Sequence, residues 1–313
     1  MNLNELFLKE IENAEDIVIF AHHFPDGDCV GSEMGLKKIL LANFPNKRVY
    51  AIGENSKKWA MLLGVTDIVD DSTIQNGLCI VVDHNSINRC GDKRITMAKK
   101  GLRFDHHIEG YNPYLFPALV DPDAVSASQI ILEWAMDMGL KIPVDAVNDL
   151  FTAFLDDKKQ YSSSNLPDCY KVMEGLFQSL GGDYELCRSR VLYTPPEEVA
   201  YEAKILEKKV EEKGVCYAVM DERHYYDLGL DYEQAGNKSS FLLKNTECEI
   251  ALLFTHHRDE IRLSARSRSD YSVQRLCARF GGGGHHQAAG ATFKMKDHMP
   301  IEVILSAQED LKK

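Results

Sequence analysis

The 313-residue chain, with 44% apolar and 27% charged residues, is long enough for two globular domains, each with its own core. Its net charge of −12 argues against a protein that coats long duplex DNA, whereas short anionic substrates held by metal ions and a few arginines are compatible with it. No apolar run reaches the roughly 20 residues of a membrane helix, and the acidic, amphipathic N-terminus differs from a secretory signal. The eight cysteines include no C-x-x-C pair, so we expect reduced thiols. Together, these features predict a protein without membrane association and with a cytoplasmic location.

The first predicted strand covers residues 17–20, a short apolar run that leads into a polar turn. His22, Asp26 and Asp28 lie in this turn, and helical periodicity begins at Cys29. In open α/β sheets, ligands bind at the carboxyl ends of strands, and a divalent cation would neutralise two carboxylates packed beside an imidazole. Alternatively, the turn binds nothing and Asp28 only caps the following helix. This stretch alone leaves both interpretations open.

Three further strands are predicted, at residues 48–53, 78–82 and 102–104, and residues 68–70 are a candidate for a short strand. The run at 78–82 is continuously apolar, which is typical of a buried parallel strand, and it ends in Asp83. The last of these strands ends in the triplet Asp105, His106 and His107. Strands that alternate with helical stretches predict a parallel, layered α/β sheet. Since three separate strands end in ligand-type residues, a metal site is favoured over three unrelated turns.

Helical patterns follow the sheet. One helix is predicted after Ser126, a candidate N-cap, and another begins near Val144 and runs out in Asp156 and Asp157. The serine-rich stretch 158–168 is predicted to be a loop. A charged helical stretch at 184–213 is interpreted as a connection between domains. The predicted organisation is a first domain at 1–183, a helical linker at 184–213 and a second domain at 214–313.

The second domain combines an alternating strand with a glycine-rich loop. In residues 261–266, apolar residues alternate with Arg262, Ser264 and Arg266, so two guanidinium groups and a hydroxyl share a strand face that suits phosphate. The alternative is an ordinary solvated strand face. Four consecutive glycines precede His285 and let backbone N–H groups approach anionic oxygens, although they could also form a flexible turn. The small Ala-Ala-Gly that follows favours tight packing over a flexible turn.

These motifs, in this order, resemble the DHH/DHHA1 phosphoesterase superfamily over nearly the whole chain. The motifs are H-x-x-P-D-x-D-x-x-G-S at 22–32, the strand-end Asp83, the D-H-H triplet at 105–107, and GGGGHHQAAG at 281–290 after the R-x-S-x-R strand. The combination most resembles the bacterial nanoRNase and pAp-phosphatase subfamily, whose relatives also cleave linear or cyclic dinucleotides. The fold that the resemblance implies is α/β: a parallel-sheet N-terminal DHH domain with helices on both faces, a smaller α/β DHHA1 domain, and an active site in the cleft between them.

The resemblance also implies a dinuclear manganese site, in which two ions activate a water for in-line attack on phosphorus. Asp83 would bridge the ions, Asp105 would orient a histidine, and His107 would help to take up negative charge in the transition state. The implied ligands are His22, Asp26 and Asp83 for one ion, and Asp28, Asp83, His106 and Asp157 for the other. The implied substrate-binding residues are Arg262, Ser264, Arg266, Gly282, Gly283, Gly284 and His285.

The chain departs from the family pattern at the fourth motif, usually D-T-G-x-F, which reads Asp157-Lys158-Lys159-Gln160-Tyr161 here and leaves Asp156 as an alternative ligand. We expect a manganese-dependent phosphoesterase that hydrolyses short oligoribonucleotides (nanoRNA), linear dinucleotides such as pApA, or the phosphate of pAp. The alternatives are a RecJ-like single-strand exonuclease and a nucleotide-binding sensor with weakened catalysis. The glycine-rich motif argues against a manganese-type inorganic pyrophosphatase. The resemblance is also compatible with a homodimer.

Overall fold

Five parallel strands form a sheet in the N-terminal part of the chain, in the order β2-β1-β3-β4-β5. The computed structural model describes residues 2–107, 113–158, 168–268 and 270–312. The strands are β1 (Asp16–Phe20), β2 (Arg48–Ile52), β3 (Leu78–Val82), β4 (Gly101–Asp105) and β5 (Ala118–Val120). The first four confirm the strands predicted at 17–20, 48–53, 78–82 and 102–104 and the predicted parallel α/β class. The short strand considered at 68–70 does not form. The fifth was not predicted, because three residues are too few to give a pattern.

Helices cover both faces of this sheet. They are α1 (Leu3–Asn13), α2 (Gly27–Asn43), α3 (Lys57–Leu63), α4 (Asp71–Asn76), α5 (Ala127–Asp137), α6 (Val144–Lys158), α7 (Asp168–Ser179) and α8 (Tyr184–Leu192). Alternate residues of β1 enter two separate cores: Ile17 and Ile19 pack with α2, α5 and α6, whereas Val18 and Phe20 pack on the side of α4. Burial on both faces explains why β1 is apolar at every position from Ile17 to Phe20 and not only at alternate ones.

A second, mixed sheet forms the C-terminal part, in the order β10-β11-β9-β8-β7-β6, with only β7 and β8 parallel among its described pairs. Its strands are β6 (Val210–Glu212), β7 (Val215–Met220), β8 (Ile250–His257), β9 (Glu260–Ser267), β10 (Gly283–His285) and β11 (Ala288–Lys294). Its helices are α9 (Pro196–Lys208), α10 (Glu222–Tyr226), α11 (Tyr232–Gly236), α12 (Ser239–Lys244), α13 (Val273–Ala278) and α14 (Pro300–Asp310). The alternating strand predicted at 261–266 lies within β9, with Ile261, Leu263 and Ala265 in the core.

The chain divides into two compact units, one ending at Tyr193 and the other beginning at Thr194. The stretch 184–213, predicted as a linker, contains α8 in the first unit and α9 and β6 in the second. In the described part of the chain, no helix combines the length and apolarity needed to cross a bilayer.

Candidate active site

The site is built where β1, β3 and β4 end. These strands are neighbours and run parallel, so the residues that follow them meet at one edge of the sheet. His22 follows β1, Asp83 follows β3, and His106 and His107 follow β4. The Asp83 N–H donates to the carbonyl of Phe104 at 2.9 Å, which fixes the end of β3 against β4. The sequence prediction that separate strand ends bring ligand-type residues together therefore matches the arrangement of these three strands.

Asp83 lies at the centre of the cluster. Its Oδ2 is 3.5 Å from Nε2 of His22, and its Oδ1 is 3.4 Å from Nε2 of His106. The residue is almost fully buried and has a backbone φ of 61°, which is uncommon for a residue other than glycine. Burial on its own raises the pKa of Asp83, but the attraction of the imidazoles of His106 and His22 outweighs it and holds this pKa far below its usual value. A carboxylate that presents one oxygen to each of two histidines has the arrangement expected of a bridging ligand.

A second group of potential ligands consists of Asp28, His106 and Asp157. Nε2 of His106 is 3.5 Å from Oδ2 of Asp157 and 3.9 Å from Oδ2 of Asp28. Burial, followed by the repulsion of Asp83 and Asp157, raises the pKa of Asp28, and burial raises the pKa of Asp157 to about 7. A divalent cation would supply the positive charge that lets carboxyl groups this close ionise together.

Backbone groups at the start of α5 fix Asp28. Its Oδ2 accepts from the N–H of Ala127 at 2.8 Å, and its Oδ1 accepts from the N–H of Ser128 at 3.3 Å and from Oγ of Ser32 at 3.1 Å. A helix N-terminus favours negative charge, so α5 stabilises this carboxylate although it lies 99 residues away in the sequence. Sequence reasoning singled out Ser126 only as an N-cap, which it is, through the N–H of Gln129.

Asp26 and Cys29 complete the group around His22. Oδ1 of Asp26 is 3.7 Å from Nε2 of His22 and also accepts from the N–H of Cys29, so Asp26, not Asp28, is the N-cap of α2. The thiol of Cys29 is buried, and with His22 and Asp83 it forms a third set of groups close enough to share a cation. Burial raises the pKa of this thiol to about 12. The sequence prediction did not include Cys29, because it occupies a variable position of the motif.

The donor atoms fit a divalent cation. Among the residues that the structure describes, the buried Nε2 of His22 and Oδ1 of Asp83 have no hydrogen-bond partner. A buried polar atom without a partner is costly, and metal coordination satisfies it. Imidazole nitrogens with carboxylate oxygens suit manganese, zinc or cobalt, and the thiol favours the softer of these ions.

His107 is held by Asp105, which is itself held by an arginine. Oδ1 of Asp105 accepts from both Nδ1 of His107 at 2.8 Å and its backbone N–H at 3.1 Å. Nη1 of Arg103 donates to Oδ2 of Asp105 at 3.2 Å, and both residues are fully buried. This chain fixes the imidazole and its tautomer, with the proton on Nδ1. Arg103 was missed from the sequence, although a lone arginine inside an apolar strand was a readable signal.

The two acidic residues at the end of α6 have different partners. Asp157 faces His106, whereas Oδ2 of Asp156 accepts from the N–H of Gly27 at 2.9 Å. The geometry therefore brings Asp157 into the cluster and leaves Asp156 beside it. The rest of the divergent motif, residues 159–161, and the side chain of Lys158 lie outside the described residues.

The residues predicted to bind substrate lie in the second unit, where only some of them share a pocket. Arg262, Gly282 and Gly283, with Tyr232, line a pocket of about 430 Å³. Nη2 of Arg262 donates to Oδ1 of Asn237 at 3.0 Å. The other predicted residues do not line this pocket: Ser264 is buried against the hydroxyl of Ser239 at 2.7 Å, Arg266 is half-buried with Nη1 on the carbonyl of Ala265, and Gly284 and His285 are exposed.

Comparisons with known proteins agree with this architecture. The model of the DHH family, N-terminal domain, matches residues 16–155, and the DHHA1 domain model matches residues 212–309. The bifunctional oligoribonuclease and PAP phosphatase NrnA of Mycoplasma genitalium is 26% identical over 92% of this chain and 92% of its own. NrnA of Bacillus subtilis is 25% identical over 91% of each chain. The cyclic-di-AMP phosphodiesterase GdpP of Bacillus subtilis is 24% identical over 89% of this chain but only 45% of its own.

Among solved structures, an exopolyphosphatase-related protein from Bacteroides fragilis superposes with a TM-score of 0.79 at 21% identity, over 99% of this chain and 98% of the other. RecJ of Thermus thermophilus in complex with Mn²⁺ superposes with a TM-score of 0.56 at 13% identity, over 99% of this chain and 54% of its own. At these identities the likeness concerns the fold.

Proposed function

Because this chain belongs to the DHH/DHHA1 phosphoesterase superfamily, whose members are hydrolytic enzymes dependent on divalent metals, we propose a specific activity for it. The enzyme is a manganese-dependent phosphoesterase that hydrolyses short oligoribonucleotides, linear dinucleotides such as pApA, and the phosphate of pAp. The observation that carries this proposal is Asp83, whose two oxygens face two histidines from different strand ends. The names of the NrnA relatives support the choice of substrates.

Each acidic and imidazole side chain has a proposed role. His22, Asp26 and Asp83 would hold one ion, and Asp28, Asp83, His106 and Asp157 would hold the other. When bound, the two ions neutralise the phosphate and lower the pKa of a water. Asp105 keeps the proton of His107 on Nδ1, so Nε2 is the nitrogen that can approach a phosphoryl oxygen when the ring is protonated. This ring is the group that stabilises charge on the phosphate in the transition state.

In the second unit, Arg262 binds a substrate phosphate in the pocket that it lines with Gly282 and Gly283, because a guanidinium group is an anion donor and the glycines leave room for the phosphate to approach the backbone. Arg266, Gly284 and His285 extend this surface. Ser264 supports this surface from inside the fold, since its hydroxyl is hydrogen-bonded to the hydroxyl of Ser239. Tyr232, whose ring lies 5.9 Å from the guanidinium carbon of Arg262, keeps that group in position.

The test is a manganese-dependent assay on pApA, pAp and a long single-stranded RNA. Asp83→Asn is the matched inactive variant, because asparagine tolerates the positive φ of this position better than alanine does. We expect turnover of pApA and pAp, and a loss of at least about 100-fold in Asp83→Asn. Full activity in Asp83→Asn would overturn the bridging role. Preference for the long strand would support the exonuclease, and nucleotide binding without turnover would support the sensor.

A further inference from the structure

Two exposed aromatic side chains lie between two of the proposed ligands. His23 and Phe24 follow His22 directly and precede Asp26 by two or three residues. Phe24 is 46% exposed although it is surrounded in sequence by buried or ligand-type residues. The ring centroids of His23 and Phe24 are 3.6 Å apart, so the two rings form one aromatic surface. We call this surface the His23–Phe24 pair.

The backbone of Phe24 has a conformation that its side chain does not favour. Its φ is 56°, and among the described residues only three others apart from glycine have a positive φ. A bulky residue in this region is an outlier, and outliers of this kind concentrate at functional sites. Glycine would adopt the same turn without strain. Because the ring is about half exposed, burial does not explain why a large aromatic residue stands here.

Glu54 holds the pair in place. Its Oε2 accepts from the N–H of Phe24 at 2.9 Å, and its Oε1 is 2.6 Å from Nδ1 of His23. One carboxylate from the loop after β2 therefore fixes both the strained backbone and the neighbouring imidazole. These two contacts with Glu54 orient the rings before a ligand binds. A surface side chain without a function would not need to be held in this way.

We propose that the His23–Phe24 pair is a stacking platform for the nucleobase next to the phosphate that is hydrolysed. This inference rests on the proposed function. Two residues span at most about 7 Å, so the ring of Phe24 lies within reach of a base whose phosphate binds at the ion that His22 and Asp26 would hold. Aromatic side chains stack on every base, because each base has a π-face, and such a platform selects nucleotides without selecting their sequence.

The first test separates binding from chemistry. Phe24→Leu removes the ring at constant apolar character, and Phe24→Tyr retains it. We expect Phe24→Leu to raise KM for pApA about 5- to 100-fold, the range expected for loss of one stacked base, with kcat within about 2-fold. Phe24→Tyr should match the wild type. For a base-free analogue of pAp, a ribose bisphosphate without adenine, KM should be the same in all three proteins.

The second test does not depend on turnover. In Phe24→Trp, the fluorescence of the new indole should fall on mixing with pAp and manganese but not with the base-free analogue. The native Trp59 and Trp134 are buried and supply a constant background. Absence of a base-dependent change in this variant, or an equal rise in KM for pAp and its base-free analogue in Phe24→Leu, would refute the platform. If the wild type hydrolyses no nucleotide yet the fluorescence falls with pAp, the proposed function fails and the platform stands.

Discussion

Oδ2 of Asp156 accepts a hydrogen bond from the backbone N–H of Gly27, across 129 residues of sequence. The end of α6 thereby holds the turn that carries Asp26 and Asp28. A Cβ atom at Gly27 would lie 2.5 Å from this same oxygen, so the close approach depends on glycine. The two adjacent acidic residues therefore have different roles. Asp157 faces His106 in the ligand cluster, and Asp156 positions the turn at Gly27.

This division predicts how variants of Asp156 bind metal. Asp156→Ala removes the acceptor for Gly27 and should weaken manganese binding about 10- to 100-fold, as loss of a group that orients ligands does. Asp156→Asn keeps an acceptor oxygen and should weaken manganese binding less. Isothermal titration with Mn²⁺ measures both. Asp145→Ala, an exposed position on the same helix, is the control, and equal affinity in Asp156→Ala and this control would disprove the positioning role.

A second close approach joins α2 to α6 at Gly31. A Cβ atom here would lie 2.6 Å from the carbonyl oxygen of Asp149 and 2.7 Å from Cβ of Ala153. Gly31→Ala should therefore reduce the free energy of unfolding by about 1–3 kcal/mol, the usual cost of overpacking. Gly175→Ala, in α7 with no atom within 4 Å of the added methyl group, should instead stabilise by about 0.5–1 kcal/mol. Urea unfolding measures the stability of both variants. A Gly31→Ala variant as stable as the wild type would contradict the close approach of α2 and α6 at this position.

The buried pair of Arg103 and Asp105 predicts a large effect on stability. Arg103→Leu leaves the carboxylate of Asp105 buried without its cation, which costs about 3–5 kcal/mol. The double variant Arg103→Leu with Asp105→Asn should recover much of this loss, because no buried charge remains. It should not recover activity, since the amide at position 105 no longer places a negative charge beside His107. Arg188→Leu, which breaks the exposed pair with Glu185, is the control and should change stability by less than about 1 kcal/mol.

The sequence was sufficient to predict the sheet of the first unit and the convergence at its edge. Buried parallel strands are mostly apolar, and ligands bind where their carboxyl ends meet, so Asp83 and His106 could be predicted at one edge of the sheet from the sequence. The α2 cap was a different case. Asp26 and Asp28 both suit an N-cap chemically, and only the backbone shows that Asp26 occupies that position.

Contacts between distant elements could not be predicted. Ser264 was expected on an open strand face beside Arg262, but α12 brings Ser239 over its hydroxyl. Which helix covers a strand is decided by tertiary packing, which local periodicity does not encode. The same limit applies to Asp156 and Gly27, whose contact depends on how α6 packs against α2.

Glu33 predicts a dependence of stability on pH. It is fully buried in α2, and within the described part of the chain neither carboxyl oxygen has a hydrogen-bond partner. Burial raises its pKa well above the usual value, and the charge of Lys37 offsets this only in part. The folded protein therefore binds a proton that the unfolded chain releases above about pH 4.5, so this group makes stability fall as the pH rises through that region.

Glu33→Gln removes this titration. The stability lost between pH 5 and pH 8 should be smaller in Glu33→Gln than in the wild type, whereas Glu12→Gln, at an exposed position of α1, should follow the wild type. Urea unfolding at each pH gives the comparison. Parallel curves for wild type and Glu33→Gln would mean that Glu33 is charged in the folded protein.

The partnerless atoms of His22 and Asp83 predict that metal binding stabilises the first unit. A ligand present at 100 times its dissociation constant adds about 2.7 kcal/mol to the free energy of unfolding. For a unit of this size that amount corresponds to a rise of roughly 5–10 °C in the unfolding temperature. Differential scanning calorimetry with Mn²⁺ and with EDTA measures it. The rise should be lost in Asp83→Asn, because this variant removes the carboxylate that both groups of ligands share. It should be preserved in Asp70→Asn, which changes an exposed aspartate outside the site. A rise of the same size in Asp83→Asn would place the bound ion elsewhere in the protein.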